Sequence, residues 1–347
     1  MEEQKIEDAL GQAIRSLSEH EKEIAFIKRR PVKLSDLSGL PTDQLLSLLI
    51  PSPGTKLYKY CPYNHYAVSN IANGVVHLSD PETFDDVFDS MADDDAYFFV
   101  NLRLMRYLLV LGVSFDWNLD NEALTALLFQ RLGQCGPTFD EFKKYLADNR
   151  IDEVTALRLQ YLYLNAVASQ VSPDKSLESA LIYEFQEFSK RRSQYRISCF
   201  TTRPNMLKMW SLYADNSKGI CIEYTIPEET KLLVLSVIYS RTRGNARLLA
   251  LLDDMHTNDA FIRSLTESVL RKDICWIEQD EYRLVCPKNE FPDDLCPFFP
   301  MTGIYMGNRM ALEKQAEVKR QCEELHIPCF YMKRALASFD FSPVSVD

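Results

Sequence analysis

The chain is poor in the residues that build the commonest nucleotide and metal sites. Its 347 residues include only 11 glycines, and no G-x-G-x-x-G or other Gly-rich phosphate loop occurs, which excludes cradles of the P-loop or Rossmann type. There are five histidines, His20, His65, His77, His256 and His326, none at helical ligand spacing from another, and no H-E-x-x-H or G-x-S-x-G run. A metal centre of the usual histidine kind is therefore not expected. Nine cysteines form no C-x-x-C pair and sit among apolar neighbours, as in ISCF, GICI and RLVC. That pattern suits reduced, buried thiols better than a disulfide framework or a zinc site. The longest apolar run, Tyr107 to Val113, is too short to cross a bilayer. The opening MEEQKIEDAL lacks the cationic start and apolar stretch of a secretory signal, so a cytoplasmic setting without a membrane is expected. Lys and Arg number 39 against 50 Asp and Glu, a formal charge of −11. A general nucleic-acid surface is thereby disfavoured, since phosphate contacts need clustered cations, although a local basic site is compatible with it.

What is present is ordinary globular material, 46% hydrophobic and 26% charged. Ile6, Leu10, Ile14, Leu17, Ile24 and Ile27 follow the period of an amphipathic helix over residues 1–30, ending before Pro31. TDQLLSLLI reads as a second helix stopped at Pro51, and PSPG as a linker. KLYKY reads as a strand, NHYAVSNIANG as a helix capped by Asn64 and ended by Gly74, and VVHLSD as a strand. Residues 96–190 read as mainly helical. Strands return at Tyr195–Phe200, Gly219–Tyr224 and Leu232–Tyr239, and residues 243–272 read as helix. CWIEQDEYRLV and MTGIYMG are further strands, followed by a helix over 308–324 and a last strand, PCFYMK. The expectation is an α+β fold: an N-terminal helical extension over 1–52 and one domain over 53–347 carrying a helical insertion at about 96–190.

CWIEQDEYRLV places acids, an amide and an arginine where a strand prefers branched and aromatic side chains. Successive strand residues face opposite ways, so Gln279, Glu281 and Arg283 would share one face, bracketed by Ile277 and Val285. Such a row suits either a cleft wall or the charged rim of an edge strand.

Three segments then carry a resemblance. LYKYCPYNHYAVSNIANGVVHLSDPETFDDVFD, ISCFTTRPNMLKMWSLYADNSKGICIEY and CWIEQDEYRLV resemble the bacterial family known as domain of unknown function 2971. That family shows a Y-K-Y strand, an F-N-D-P-F-D loop, a C-F-S…M-W…Y-A…K-G-I segment and a W…E-x-E-x-R strand. Cys199, Phe200, Asn205, Met209, Trp210, Tyr213, Ala214, Lys218 and Gly219 fall in register with the central segment. The chain departs from the pattern at Asp85, where the family has Asn, at Val87, where it has Pro, and at Gln279, which replaces the first Glu of E-x-E. The order of segments is similar to that of ADP-ribosyltransferases, some of which carry a Q-x-E pair like Gln279-Asp280-Glu281.

The resemblance implies a central, mostly antiparallel split sheet that takes NAD as substrate, with no metal, and transfers ADP-ribose to a protein or nucleic-acid acceptor or hydrolyses NAD, as a bacterial defence effector or toxin does. Breaking the nicotinamide bond builds positive charge on the ribose, and a carboxylate facing that charge stabilises the transition state more than the ground state. Glu281 is the candidate for this role, with Gln279 orienting the acceptor. Tyr60 and Tyr213 are candidates to sandwich the nicotinamide, while Tyr58, Ser198 and Arg283 are further candidate binding residues. Lys59, Arg196 and Arg203 are candidate pyrophosphate donors.

Plainer readings stand beside these. Met206, Trp210 and Tyr213 have the spacing of a core stripe, and Tyr58 and Tyr60 share a strand face as packing residues do. Lys218-Gly219 reads as a turn with glycine at positive φ, and Arg283 as the neutraliser of Glu281. A non-catalytic sensor or interaction module, using the N-terminal helix and the helical insertion as surfaces for a protein partner, is the alternative function. A third is a divalent-metal nuclease using Asp85, Asp86 and Asp89 of the acidic loop, which Phe84 and Phe88 would pin to the core.

Overall fold

A hairpin opens the described chain. β1 (Ile24–Ile27) and β2 (Arg30–Lys33) pair antiparallel across Lys28 and Arg29, both left-handed with φ of 49° and 61°, the geometry of a tight primed turn that matches strand twist. The amphipathic helix expected to reach residue 30 therefore does not extend over residues 24–30, which form this hairpin. Ala25 and Ile27 alternate into the core, whereas Ile24, three residues from Ile27, falls on the opposite face and is exposed. The computed structural model describes residues 23–86, 88–90, 96–116, 119–164, 194–244, 257–291, 293–338 and 340–346. The expected helix over residues 1–22 thus lies outside the described residues, as does the insertion beyond residue 164.

The chain divides into two units, one drawn from residues 1–91, 192–243 and 268–347, the other from 92–191 and 244–267. The first continues with α1 (Leu34–Gly39), α2 (Thr42–Leu49), β3 (Lys56–Cys61), α3 (His65–Asn73) and β4 (Val75–His77). Asn64 caps α3 by accepting the Ala67 N–H, and Gly74 ends it in the left-handed conformation, both as the sequence predicts. In the second unit α4 (Ala96–Val110), α5 (Asn121–Cys135), α6 (Phe139–Asp148) and α7 (Glu153–Tyr163) bury Leu104, Leu108, Leu111, Leu124, Leu128, Leu132, Phe142, Leu146, Leu159 and Leu162 in one core. Their three- and four-residue spacings make one apolar stripe per helix.

The first unit resumes with β5 (Tyr195–Thr201), α8 (Leu207–Leu212), β6 (Ile220–Thr225), β7 (Val234–Ser236) and β8 (Ile238–Ser240). The strand expected over Leu232–Tyr239 is thus two, broken at Val237, whose N–H turns to the carbonyl of Glu281 (3.0 Å). Of the helix expected over 243–272, the described part is α9 (Asn258–Glu267), in the second unit. The chain is already extended at β9 (Arg271–Asp273). Then follow β10 (Glu281–Pro287), β11 (Leu295–Pro297), β12 (Met301–Met306), α10 (Leu312–Leu325), β13 (Cys329–Arg334) and β14 (Phe341–Ser345); β11 and β14 are two strands that the sequence does not suggest.

The first unit is α+β. Its main sheet has the order β14-β13-β12-β6-β3-β5-β10-β7, antiparallel except between β12 and β13. A smaller sheet, β2-β1-β8-β9, and the pair β11-β4 complete it. Residues 24–33, expected in a separate extension, supply two strands of the smaller sheet. Among the described residues no helix is long and apolar enough to cross a membrane.

Gly219 has a different role from the one expected. The positive φ values belong to Asp215, Asn216 and Ser217 just before it, at 45°, 52° and 66°. Gly219 is needed because a Cβ there would run into the backbone oxygen of Cys61. Under the main sheet, buried Glu223 on β6 accepts hydrogen bonds from Tyr58 (2.9 Å), Tyr305 (2.6 Å) and Thr302 (2.8 Å), and pairs with Lys56 at 2.8 Å. Burial opposes its charge, but these donors together hold its pKa below the ordinary range. A carboxyl with a depressed folded pKa stabilises the fold above its unfolded value and loses that contribution as pH falls. Glu223→Gln is therefore expected to lower the thermal midpoint at neutral pH, with a deficit that shrinks as pH drops below about 4.3; a pH-independent deficit would contradict the assignment.

Candidate functional site

The site begins with a discontinuity in the main sheet. β3 pairs with β6 along Lys56–Cys61, and β5 with β10 along Tyr195–Thr201, but β3 and β5 meet at a single position, Tyr58 opposite Thr201. A cavity of about 260 Å³ opens at this split. β3 lends it Tyr58, Lys59 and Tyr60, β5 lends Ile197, Cys199 and Phe200, and Met209 and Tyr213 come from the α8 turn. Phe84, Asp85, Asp86 and Asp89 of the acidic loop line it with Lys272, Trp276, Gln279 and Glu281.

The segment CWIEQDEYRLV is not one strand. Ile274–Gln279 form a 3₁₀ turn, started by the Asp273 side chain accepting the Cys275 N–H (2.7 Å) and stopped by Asp280 in the left-handed region, φ 47°. Aspartate both caps such turns and tolerates that conformation better than most residues. Gln279 and Glu281 are therefore not strand neighbours on one face, although both reach the cavity. Glu281 is the first residue of β10, fixed at its backbone by its N–H to the Tyr239 hydroxyl (2.8 Å).

Glu281 belongs to a buried quartet of alternating charge. Its Oε1 accepts from Arg283 Nε (2.7 Å) and its Oε2 from Lys272 Nζ (2.6 Å). The same two cations meet Asp89, Arg283 at 2.8 Å and Lys272 at 3.2 Å. Arg283, 0% exposed, also donates to Ser90 (2.9 Å) and to the carbonyl of Val269, with its guanidinium 5.7 Å from the Phe84 ring centre. Two positive and two negative groups leave no net buried charge, the condition under which such a cluster is tolerated. Burial alone would neutralise the Glu281 carboxyl, but Arg283 and Lys272 hold it ionised, well below the usual range. An ionised carboxylate offers about four acceptor positions, and these two cations take one on each oxygen.

The rest of the cavity is aromatic and weakly polar. Gln279 Nε2 lies 3.4 Å from the Tyr213 hydroxyl, whose pKa burial raises. Trp276 Nε1 donates to Asp86 (2.9 Å). The Cys199 thiol is pushed up to about 12, chiefly by burial and then by Glu281, so it is protonated and no nucleophile at neutral pH. Lys59 Nζ donates to Ser198 (2.7 Å) and forms no ion pair among the described residues; burial lowers its pKa. A wider hollow of about 650 Å³ adjoins, sharing Asp85, Asp86, Lys272 and Trp276.

Of the residues expected at the site, Glu281, Gln279, Tyr58, Lys59, Tyr60 and Tyr213 meet at the cavity. Arg283 and Ser198 do not line it: each is fully buried and holds a neighbour that does. Arg196 instead bridges Asp80 and Asp294 at 2.8 and 2.9 Å, and Arg203 binds the Glu278 carbonyl. Asp85, Asp86 and Asp89 do not point together. Asp89 meets Arg283 and Lys272, Asp86 accepts from Trp276, and Asp85 is exposed. Among the described residues no group of three or more His, Cys, Asp or Glu is placed to hold a metal ion. Phe88, expected to anchor the loop, is 60% exposed. Sequence reasoning missed Lys272, which it assigned to a helix, and the separate role of Asp89; a charged triplet, RKD, between apolar VL and ICW was the one available signal. The chain matches no family model, no curated protein and no solved structure.

Proposed function

We propose that this protein binds NAD at the split between β3 and β5 and cleaves its nicotinamide bond, transferring ADP-ribose to an acceptor or to water, in an ADP-ribosyltransferase-like manner. The observation that carries the reading is the meeting of Glu281, held ionised yet with acceptor positions spare, with Tyr58, Tyr60 and Tyr213 in one concave pocket. Nicotinamide in NAD is a cationic aromatic ring, suited to aromatic walls. As nicotinamide leaves neutral with the bonding pair, the positive charge that develops on the ribose would face Glu281, whose orientation is already set, so that no reorganisation is needed at the moment of reaction. The cavity's 260 Å³ is below the roughly 300–1,000 Å³ of sites that enclose a whole drug-sized ligand. It therefore takes the reacting end of the dinucleotide, and the adjoining hollow takes the remainder.

Lys59 is the cation that this reading assigns to the dinucleotide phosphates. Its ammonium is already desolvated without an acid partner among the described residues, so Lys59→Met is expected to leave the thermal midpoint unchanged or raised. The affinity for NAD is expected to fall by about ten- to a hundredfold, the loss of one charge-assisted hydrogen bond. Calorimetry on the folded variant checks this, and unchanged affinity removes Lys59 from the site. The reading as a whole is tested by nicotinamide release from NAD by the full chain, beside Glu281→Gln: no binding of NAD and no release by the wild type overturn it.

A further inference from the structure

We propose that Lys272 is the positioning residue of this site, the group that fixes the Glu281 carboxylate against the cavity wall and keeps it charged. The inference rests on the assignment of Glu281 above. Arg283 lies two residues along the same strand as Glu281 and holds one carboxylate oxygen from β10 itself, while its other nitrogens reach Asp89, Ser90 and the Val269 carbonyl. Lys272 comes from β9, at the edge of the smaller sheet, and reaches the other carboxylate oxygen at 2.6 Å. Held from two sheets, the carboxylate cannot rotate about its last torsion without breaking one ion pair. Lys272 also meets Asp89 at 3.2 Å, tying the acidic loop to the same point, and it lines both hollows, whereas Arg283 lines neither.

The groups facing Glu281 from every side are few. Lys272 and Arg283 are its cations, and Asp89 is the second carboxylate of the quartet. Tyr239 touches its backbone N–H, and Cys199, protonated, stands opposite Arg283 on β5. Gln279 and Tyr213 are neutral, and Lys59 acts from across the cavity. Removing Lys272 therefore removes one of two adjacent cations, and the Glu281 pKa must rise.

The test compares the wild-type full chain with Lys272→Met, labelled at the glutamate carboxyl carbon, with the Glu281 resonance identified by its loss in Glu281→Gln. In the variant the Glu281 carboxyl is expected to titrate about one to three pH units higher than in the wild type. Nicotinamide release is expected to fall by up to about 10²-fold, with its acid limb moving up toward the ordinary glutamate range near about 4.3. If Lys272→Met does not fold, the same comparison is made between Asp89→Asn and Asp89→Asn/Lys272→Met, the second of which removes one charge of each sign. An unmoved Glu281 titration, or full release with an unchanged pH profile in a folded variant, overturns the inference. Absence of both NAD binding and nicotinamide release in the wild type overturns the assignment of function instead, and the titration still decides whether Lys272 controls Glu281.

Discussion

Glu281→Gln is expected to lower nicotinamide release from NAD by about 10²- to 10³-fold, the usual cost of removing one preorganised electrostatic group. The substitution keeps the shape of the side chain and removes its charge. Its effect on NAD affinity should be much smaller than its effect on turnover, because the carboxylate faces a positive charge that grows only as the glycosidic bond breaks. The replacement also leaves Lys272 and Arg283 opposite Asp89 alone, a buried excess of one positive charge. Turnover must accordingly be compared at equal folded fraction, read from circular dichroism. A folded Glu281→Gln protein that releases nicotinamide at the wild-type rate would end the catalytic reading of this residue.

Arg283→Leu is expected to cost about 3–5 kcal/mol of stability. The guanidinium is wholly buried and joins Glu281, Asp89, Ser90 and the Val269 carbonyl. Without it two carboxylates share the single charge of Lys272 in a region closed to water, and an uncompensated buried charge is far more costly than a paired one. Against a total of roughly 5–15 kcal/mol for a folded domain, that loss is close to decisive. Urea denaturation of the two proteins measures it. A shift of less than about 1 kcal/mol, the worth of a surface pair, would show that the quartet is not a structural unit.

Much of the first unit's secondary structure could be read directly because its signals were local. Asn64 and Gly74 mark the two ends of α3, and the apolar residues of β3, β5, β6 and β12 have few competing patterns. The errors fell where one pattern fits two structures. Ile24 and Ile27, three apart, suggest one helix face although in the strand they fall on opposite sides, and the turn over Ile274–Gln279 hides within an apparently alternating strand because Asp280 restarts the count. Glu281 was legible as an acid in a strand. Its partners were not: Lys272 and Asp89 arrive from another sheet and from a loop, and nothing in their own neighbourhoods specifies that meeting. Arg283, taken as a possible neutraliser, proves to be the centre of the cluster.

The balance of charge within the quartet also decides what an approaching ligand feels. Four alternating charges within a few ångströms produce a field that dies away rapidly with distance, so the interior of the site exerts no pull on a molecule still in solution. The approach is governed by the remainder of the surface, which carries the chain's formal charge of −11. If the site takes NAD as proposed, the anionic dinucleotide travels against the average field of the protein until it reaches the cavity. Added salt shortens the range of that repulsion to about 8–10 Å at physiological strength, and so favours the encounter while leaving the buried ion pairs intact.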